Sequence, residues 1–331
     1  MASTDENSDT VNSVFETTTD IELSRIDQWL QFIDVRLLAP FRVMWSDGRT
    51  KVGLFVVGLY VFMGTLGVSI IPAPELHAGP IYMPPFQSLR FPLGTDKFGK
   101  GIFRSLVHAT PPMLKMVVAG AVFTVIVATI IGTVSGFVSG MIDRVLMTFT
   151  DIMLSIPGLP LVIVIAIALE PRNPYVVGLV LSINAWAGLA RAIRSQVLTV
   201  RHESYVEASQ TMGLPTWKII VGDVLPNLMP YITVNFMQAA RNVIFASVGL
   251  YFLGLLPFTT LNWGVMMNLA RTAGALRSMQ IIHWLLFPML AITLFTFGLI
   301  ALAQGMDRVF NPRVRARHAK SVDTSDASTE P

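Results

Sequence analysis

Six long apolar segments are the feature that most constrains the fold of this chain. They are Val52–Ile71, Leu114–Ser139, Val145–Leu169, Tyr175–Ile193, Leu228–Leu256 and Ile282–Met306. A helix needs about 20 apolar residues to cross the hydrocarbon core of a lipid bilayer. Such a helix satisfies its own backbone hydrogen bonds, which lipid cannot do. The sequence therefore predicts an all-α membrane protein with about six transmembrane helices.

The composition excludes an ordinary soluble domain. Charged residues make up 14% of the chain and hydrophobic residues 53%, whereas soluble domains carry about 25% charged residues. There is no cysteine, so neither a disulfide framework nor a thiolate metal site is possible. The formal net charge is only +3, and no basic patch is interleaved with aromatic residues. We therefore predict no nucleic-acid partner, no metal or other cofactor and no catalytic residue.

The two ends of the chain differ from its apolar middle. Residues 1–20 are acidic and rich in Ser and Thr, which predicts disorder and is unlike a signal peptide. We therefore expect the first span to be retained as an anchor. Residues 21–50 contain an amphipathic pattern from Ile21 to Trp45, which predicts an interfacial helix or, alternatively, a coiled or partner-binding helix. The transmembrane domain is predicted over 51–312, and 313–331 is predicted to be disordered.

Clusters of basic residues predict the orientation in the membrane, because such residues concentrate on the cytoplasmic side. The clusters are Arg25, Arg36, Arg42, Arg49 and Lys51, then Arg191, Arg194, Arg201 and Lys218, then Arg308, Arg313, Arg315, Arg317 and Lys320. Six spans place all three clusters on the cytoplasmic side of the cell membrane, together with both termini. Residues 72–112 then lie outside, where long loops are partly exempt from the charge rule.

The segment 203–226, ESYVEASQTMGLPTWKIIVGDVLP, is a polar insert between two apolar spans. It is longer than the two to eight residues of an ordinary helix–helix connection. Gly213 is placed to end a first helix, Pro215 to begin a second and Pro226 to close it. One apolar side of the first helix and its turn holds Tyr205, Ala208, Met212 and Leu214. We predict a helix–turn–helix on the cytoplasmic membrane surface, with an ordinary interfacial loop helix as the alternative.

Several motifs resemble one family of transporters. Glu207-Ala208-Ser209, with Gly213 and Leu225-Pro226 following, resembles the "EAA" signature of permease subunits of ATP-driven (ABC) importers. Further resemblance, to the dipeptide, oligopeptide and nickel branch, lies in LGTDKFGKGIFRSL from residue 93, FLGL from 252, Trp263-Gly264 and the Asn311-Pro312-Arg313 ending. The resemblance covers about residues 52–313. The chain departs from the pattern at Lys100-Gly101, Ser209, Asp223, Ser247 and Asn311.

The resemblance implies a type I ABC importer fold with a cytoplasmic coupling helix that fits a groove on an ATPase subunit. It implies four kinds of partner: a second permease, two ATPase subunits, an extracellular solute-binding protein and a peptide substrate. A nickel chelate or a sugar remains an alternative substrate. The residues assigned to ATPase coupling are Tyr205, Glu207, Ala208, Ser209, Met212 and Gly213. A near-match to a phosphate loop at 94–101 lacks the Ser or Thr that binds magnesium, so the chain is not expected to be the ATPase.

Polar residues and prolines inside the spans are candidates for the pore or its gate, since such groups face a cavity or the bundle interior. They are Asp151, Pro157, Asn235, Gln238, Arg241 and Asn242. Pro157 also predicts a kink in the third span, because proline frees a backbone carbonyl. The alternatives are a capped interfacial acid at Asp151 and structural hydrogen bonds at the amides. A stripe of small residues at Gly120, Thr124, Ala128, Gly132, Gly136 and Gly140 predicts a tight helix seam, within the subunit or with a second permease.

Two other functional classes fit less well. An ion-coupled secondary transporter would use acids or unwound helices at the middle of the membrane, and carboxylates are nearly absent there. An intramembrane zinc hydrolase would need a second histidine after His202-Glu203, but Val206 occupies that position.

Overall fold

The computed structural model describes residues 47–310. The predictions for 1–20, for the amphipathic segment at 21–45 and for 313–331 lie outside the described residues. Within 47–310 the regular structure is helical, and one isolated bridge joins Thr95 to Gly101. The helices are α1 (Gly48–Ile70), α2 (Ile102–Val138), α3 (Gly140–Ser155), α4 (Gly158–Leu169), α5 (Pro174–Leu181), α6 (Trp186–Val200), α7 (Ser204–Thr211), α8 (Thr216–Leu253), α9 (Trp263–Thr272) and α10 (Ile282–Phe310).

The described helices provide up to six membrane crossings. Four of them, α1, α2, α8 and α10, are each long and apolar enough to span a bilayer. Two bent pairs also pass that test, α3 with α4 at 84° and α5 with α6 at 61°. When each bent pair crosses once, the described chain makes the six crossings that the sequence predicts. The sixth predicted span, Ile282–Met306, coincides with the apolar part of α10.

Successive crossings run in opposite directions, so the loops that connect them lie alternately at the two ends of the helix bundle. The end of α2, the start of α3 and the end of α6 meet at one end, where Arg194 bonds Asp143. Helix α7 and the start of α8 follow α6 directly and therefore lie at this same end, which we call the α7 end. The first turns of α1 and the last turns of α10 pack together, since a Cβ on Gly53 would lie 2.9 Å from the carbonyl oxygen of Gly298.

The stripe of small residues on α2 packs against α5 and α6 of the same subunit. A Cβ added at Gly120 would lie 2.5 Å from Ser182 Oγ, and one at Gly132 would lie 2.5 Å from the Ala190 carbonyl oxygen. The predicted seam is therefore confirmed, and it is an internal one. Gly140 does not belong to it, because this residue begins α3 with φ 68° and open space around it.

Helix α2 starts at Ile102, twelve residues before the predicted second span, and it continues through Pro111 and Pro112. Its early turns are sustained by burial, since Val107 and Met113 are 0% exposed, and tertiary packing stabilises helices more than local propensity does. The preceding loop turns at Asp96, whose Oδ1 accepts hydrogen bonds from the backbone N–H groups of residues 98 and 100. Helix α2 itself begins after Gly101, which occupies the N-cap position.

Candidate functional site: a surface helix and a cavity on one span

The segment 203–226 begins as predicted, with a helix, a sharp turn and a second helix. Helix α7 ends at Thr211, and Gly213 then adopts φ 75°. Glycine is favoured there because a side chain at positive φ is strained. The N–H of Gly213 bonds the carbonyl oxygen of Gln210 at 3.0 Å. Pro215 has an extended backbone and precedes Thr216, the first residue of α8, so the chain reverses within four residues.

One face of α7 packs on its own subunit and the other is exposed. Val206 is 0% exposed and Ser209 is 8% exposed, so these two side chains hold α7 in place. The predicted coupling residue Ser209 therefore faces inward, and Val206 was missed by the sequence analysis although it shares an i, i+3 spacing with Ser209. Tyr205 and Met212 lie on the outward side, where Met212 is 71% exposed. Ala208 and Glu207 are also exposed.

We call the exposed apolar group formed by Tyr205, Met212, Leu214 and Trp217 the α7 surface. All four side chains are at least 41% exposed. Clustered exposed apolar side chains mark interaction sites. Glu207 adds a carboxylate beside it, 4.0 Å from Nδ1 of His202. The α7 end therefore combines exposed apolar area with an exposed carboxylate.

Tyr205 joins α7 to the next helix. Its hydroxyl oxygen accepts a hydrogen bond of 2.9 Å from Nδ2 of Asn227 on α8. Burial raises the pKa of the Tyr205 phenol above its ordinary value, and the nearby carboxylates of Glu203 and Asp223 raise it further. The phenol therefore stays protonated at neutral pH and keeps its O–H as a donor.

The second helix does not close at Pro226, so that prediction is wrong. Helix α8 runs without interruption from Thr216 to Leu253. Residues Ile220–Val224 form a π-helical turn immediately before Pro226. Proline lacks an N–H and crowds the carbonyl four residues earlier, and a wider turn relieves both problems. The result is one continuous element that joins the α7 surface to a membrane span.

The middle of α8 lines a cavity of about 350 Å³ shared with α2, α5 and α6. Three predicted pore residues lie here, Asn235, Gln238 and Asn242, and the latter two are exposed in the isolated subunit. No charged side chain of the described residues lines this space. We call it the mid-span cavity, and its polar lining consists of amides and hydroxyls.

Three further polar residues line the mid-span cavity, and none of them was predicted as a pore residue: Thr124, Ser182 and Tyr231. Thr124 Oγ1 and Ser182 Oγ are buried and have no hydrogen-bond partner among the described residues. A single hydroxyl in an apolar helix gives little signal in sequence, because serine and threonine are common in membrane helices. Only packing shows that hydroxyls from α2 and the α5–α6 bend meet the amides of α8.

The other predicted pore residues lie elsewhere. Arg241 lines a separate groove of about 140 Å³ between α8 and α10, and Gln238 is the one residue that lines both this groove and the mid-span cavity. Asp151 forms an ion pair with Arg191, and both side chains are more than half exposed. Pro157 lies at the 84° bend between α3 and α4, as the predicted kink requires.

The sequence of this chain matches one family of known proteins. Residues 128–316 match the family described as the binding-protein-dependent transport system inner membrane component. The chain belongs to this family. The matched region includes 203–226 and every lining residue of the mid-span cavity except Thr124.

Several curated relatives are permease subunits of this transport family. The dipeptide transport system permease protein DppC of Bacillus subtilis is 30% identical over 83% of this chain and 85% of its own length. The oligopeptide transport system permease protein OppC of the same organism is 32% identical over 67% of this chain and 72% of its own length. The glutathione transport system permease protein GsiD of Pectobacterium atrosepticum is 28% identical over 68% and 73%.

Proposed function

We propose that this chain forms half of the translocation pathway of an ATP-driven importer of short peptides. The observation that carries the proposal is the continuity of α8. One end of that helix is bonded to α7 through Asn227 and Tyr205, and its middle presents Asn235, Gln238 and Asn242 to the mid-span cavity. A movement imposed at the α7 surface therefore reaches the cavity through a single helix.

The α7 surface is the proposed contact for an ATPase subunit. Its exposed residues Tyr205 and Met212 supply apolar area. Ala208 and Glu207, which are exposed on the same helix, add a methyl group and one negative charge. Apolar and aromatic side chains that become fully buried dominate the energy of such interfaces. Gly213 supplies the turn that presents them. With the α7 end in the cytoplasm, as the basic clusters predict, both termini lie inside and the ATPases bind from that side.

The mid-span cavity suits a substrate recognised through its backbone. Amide and hydroxyl groups such as Asn242 and Tyr231 donate and accept hydrogen bonds without selecting a charged side chain. The curated relatives are named for dipeptides, oligopeptides and glutathione, all of which contain peptide bonds. Because Gln238 and Asn242 are exposed at the rim, a second permease would complete the pathway, and an extracellular binding protein would deliver the substrate.

Purification in mild detergent tests the proposed partners. The chain should retain a second permease and two copies of an ATPase subunit, identified by mass spectrometry. Met212→Asp should weaken ATPase retention at least about tenfold, because a charge on a buried interface residue costs more than about 1.4 kcal/mol. Gln210→Asp adds the same charge to an exposed polar position of α7 and serves as the matched control.

Transport by the purified complex in proteoliposomes tests the substrate and the energy source. Uptake of a labelled dipeptide should require ATP and the binding protein. Excess unlabelled peptide should compete, whereas a nickel chelate or a sugar should not. Peptide-independent uptake of either competitor would assign the substrate to that class. Uptake driven by an ion gradient without ATP would contradict the proposal and support a secondary transporter.

A further inference from the structure

A cluster of side-chain bonds joins three helices at the α7 end. Asp143, in the first turn of α3, accepts two hydrogen bonds of 2.6 Å from Arg194 of α6, one from Nε to Oδ1 and one from Nη2 to Oδ2. Ser135 of α2 bonds the same carboxylate through its hydroxyl. Two parallel bonds between a guanidinium and a carboxylate fix orientation as well as distance. The pair is largely shielded, with Asp143 19% exposed and Arg194 30% exposed.

A second arginine holds the junction between α2 and α3. Nη1 of Arg201 donates to the carbonyl oxygen of Gly136 at 3.2 Å and to Oγ of Ser139. Ser139 has φ 61° and is followed by Gly140 with φ 68°. A serine at positive φ is strained and persists only when its surroundings hold it. Arg201 also places a positive charge at the C-terminal end of α2, where the helix dipole favours it.

Chain order connects this cluster to the α7 surface. Arg201 directly follows α6, and only two residues separate it from the start of α7 at Ser204. On the other side of the cluster, α3 leads to the 84° bend before α4. The two residues at that bend, Ile156 and Pro157, have extended backbones. The cluster therefore lies between the helix that docks a partner and the sharpest bend among the described spans.

We propose that Arg194 and Arg201 are positioning residues that lock the α2–α3 junction to α6, so that a displacement of α7 moves α3 and is absorbed at the Ile156–Pro157 bend. This inference rests on the proposed function, since it concerns how force from the α7 surface reaches the pathway. Arginine suits the role because its planar fork holds two acceptors in one geometry, whereas lysine is a point charge on a flexible stem.

A second ion pair between α3 and α6 provides a matched control for the Asp143–Arg194 pair. Asp151 and Arg191 join the same two helices, yet their side chains are 58% and 55% exposed. Exposed ion pairs contribute little because solvent screens them. Arg191→Gln should therefore leave transmission unchanged, while Arg194→Gln should break it.

The test uses the full complex in proteoliposomes and measures peptide uptake and ATP hydrolysis together. For Arg194→Gln and for Arg201→Gln we expect ATP hydrolysis within about twofold of wild type and at least about fivefold fewer peptides transported per ATP, the lower range of coupling between sites. Arg194→Lys should restore only part of the ratio, because it returns the charge without the fork. Arg191→Gln should keep the wild-type ratio.

Each outcome bears on the inference. An unchanged ratio in both the Arg194 and the Arg201 variants would overturn it, as would an equal loss in Arg191→Gln. Failure of both variants to assemble with the ATPases would assign the cluster to folding, which also overturns it. If the wild-type complex itself shows no ATP-dependent peptide uptake, the proposed function fails instead, so the two failures are distinguishable.

Discussion

The first turns and the middle of α8 face opposite kinds of chemistry. Near Trp217 the helix joins an exposed apolar surface with a carboxylate beside it. About two dozen residues later, at ~1.5 Å per residue, it presents the amides of Gln238 and Asn242 and the hydroxyl of Tyr231 to a cavity that no charged side chain of the described residues lines. The proposed attachment to an ATPase and the proposed passage of substrate therefore lie at separate places along one continuous helix. A change at one location should therefore alter one property and spare the other.

The largest expected effect follows from Gly213, at the attachment end. No atom lies within 4 Å of a Cβ placed there, so Gly213→Trp meets no clash inside the subunit. Its φ of 75° nevertheless strains any L side chain by about 1 kcal/mol or more, and the indole would project beside the α7 surface. We expect ATP-dependent uptake in proteoliposomes to fall at least about tenfold, while membrane insertion and the amount of protein stay normal.

Two controls separate the turn from the bulk at Gly213. Asn tolerates the left-handed conformation, so Gly213→Asn should keep most of the uptake. Gly222 is also exposed with open space around it but lacks a positive φ, so Gly222→Ala should be close to wild type. Wild-type uptake by Gly213→Trp would contradict the proposed role of the turn, because the α7 surface would then not depend on the conformation of Gly213.

The two proline predictions show which part of the fold is readable from sequence. Pro157 lies within an apolar segment and was expected to kink a helix, and Pro226 ends the polar insert and was expected to close one. At Pro157 the two backbones at the break are extended and the helix bends by 84°. At Pro226 the π turn Ile220–Val224 absorbs the missing N–H and α8 continues. Whether a helix breaks at proline depends on how the preceding turn packs, which local sequence does not encode.

The candidate sites divide in the same way. The turn at Gly213 and the amides on α8 were predicted because each depends on one short segment. The face of α7 was only partly predicted, since burial of Val206 and Ser209 depends on contacts beyond that helix. Thr124 and Ser182 were missed because they join the mid-span cavity from separate helices. Arg241 was placed in the pore by its charge alone, yet its side of α8 faces α10.

An intermediate effect is expected from the passage region. Asn242→Leu removes one amide from the mid-span cavity at nearly constant volume. A neutral hydrogen bond contributes about 0.5–1.5 kcal/mol, so the maximal uptake rate or the apparent affinity for peptide should fall about two- to tenfold. Retention of the ATPases should not change. Phe245→Leu alters an exposed residue of α8 outside the cavity and is the matched control. Loss of ATPase retention in Asn242→Leu would contradict the separation of attachment from passage.

The smallest effect concerns Ser182, whose buried hydroxyl has no partner among the described residues. A buried polar group without a hydrogen bond destabilises the state that contains it. Ser182→Ala should therefore leave thermal stability of the complex unchanged or slightly raised, as a melting curve in detergent would show, and uptake should stay within about twofold. Thr124→Val provides a second hydroxyl deletion in the same cavity.

A several-fold loss of uptake without any loss of stability would show instead that the hydroxyl finds its partner in another conformation or in the substrate. The mid-span cavity would then be a site that forms during transport, and the uncharged lining seen here would be only part of it.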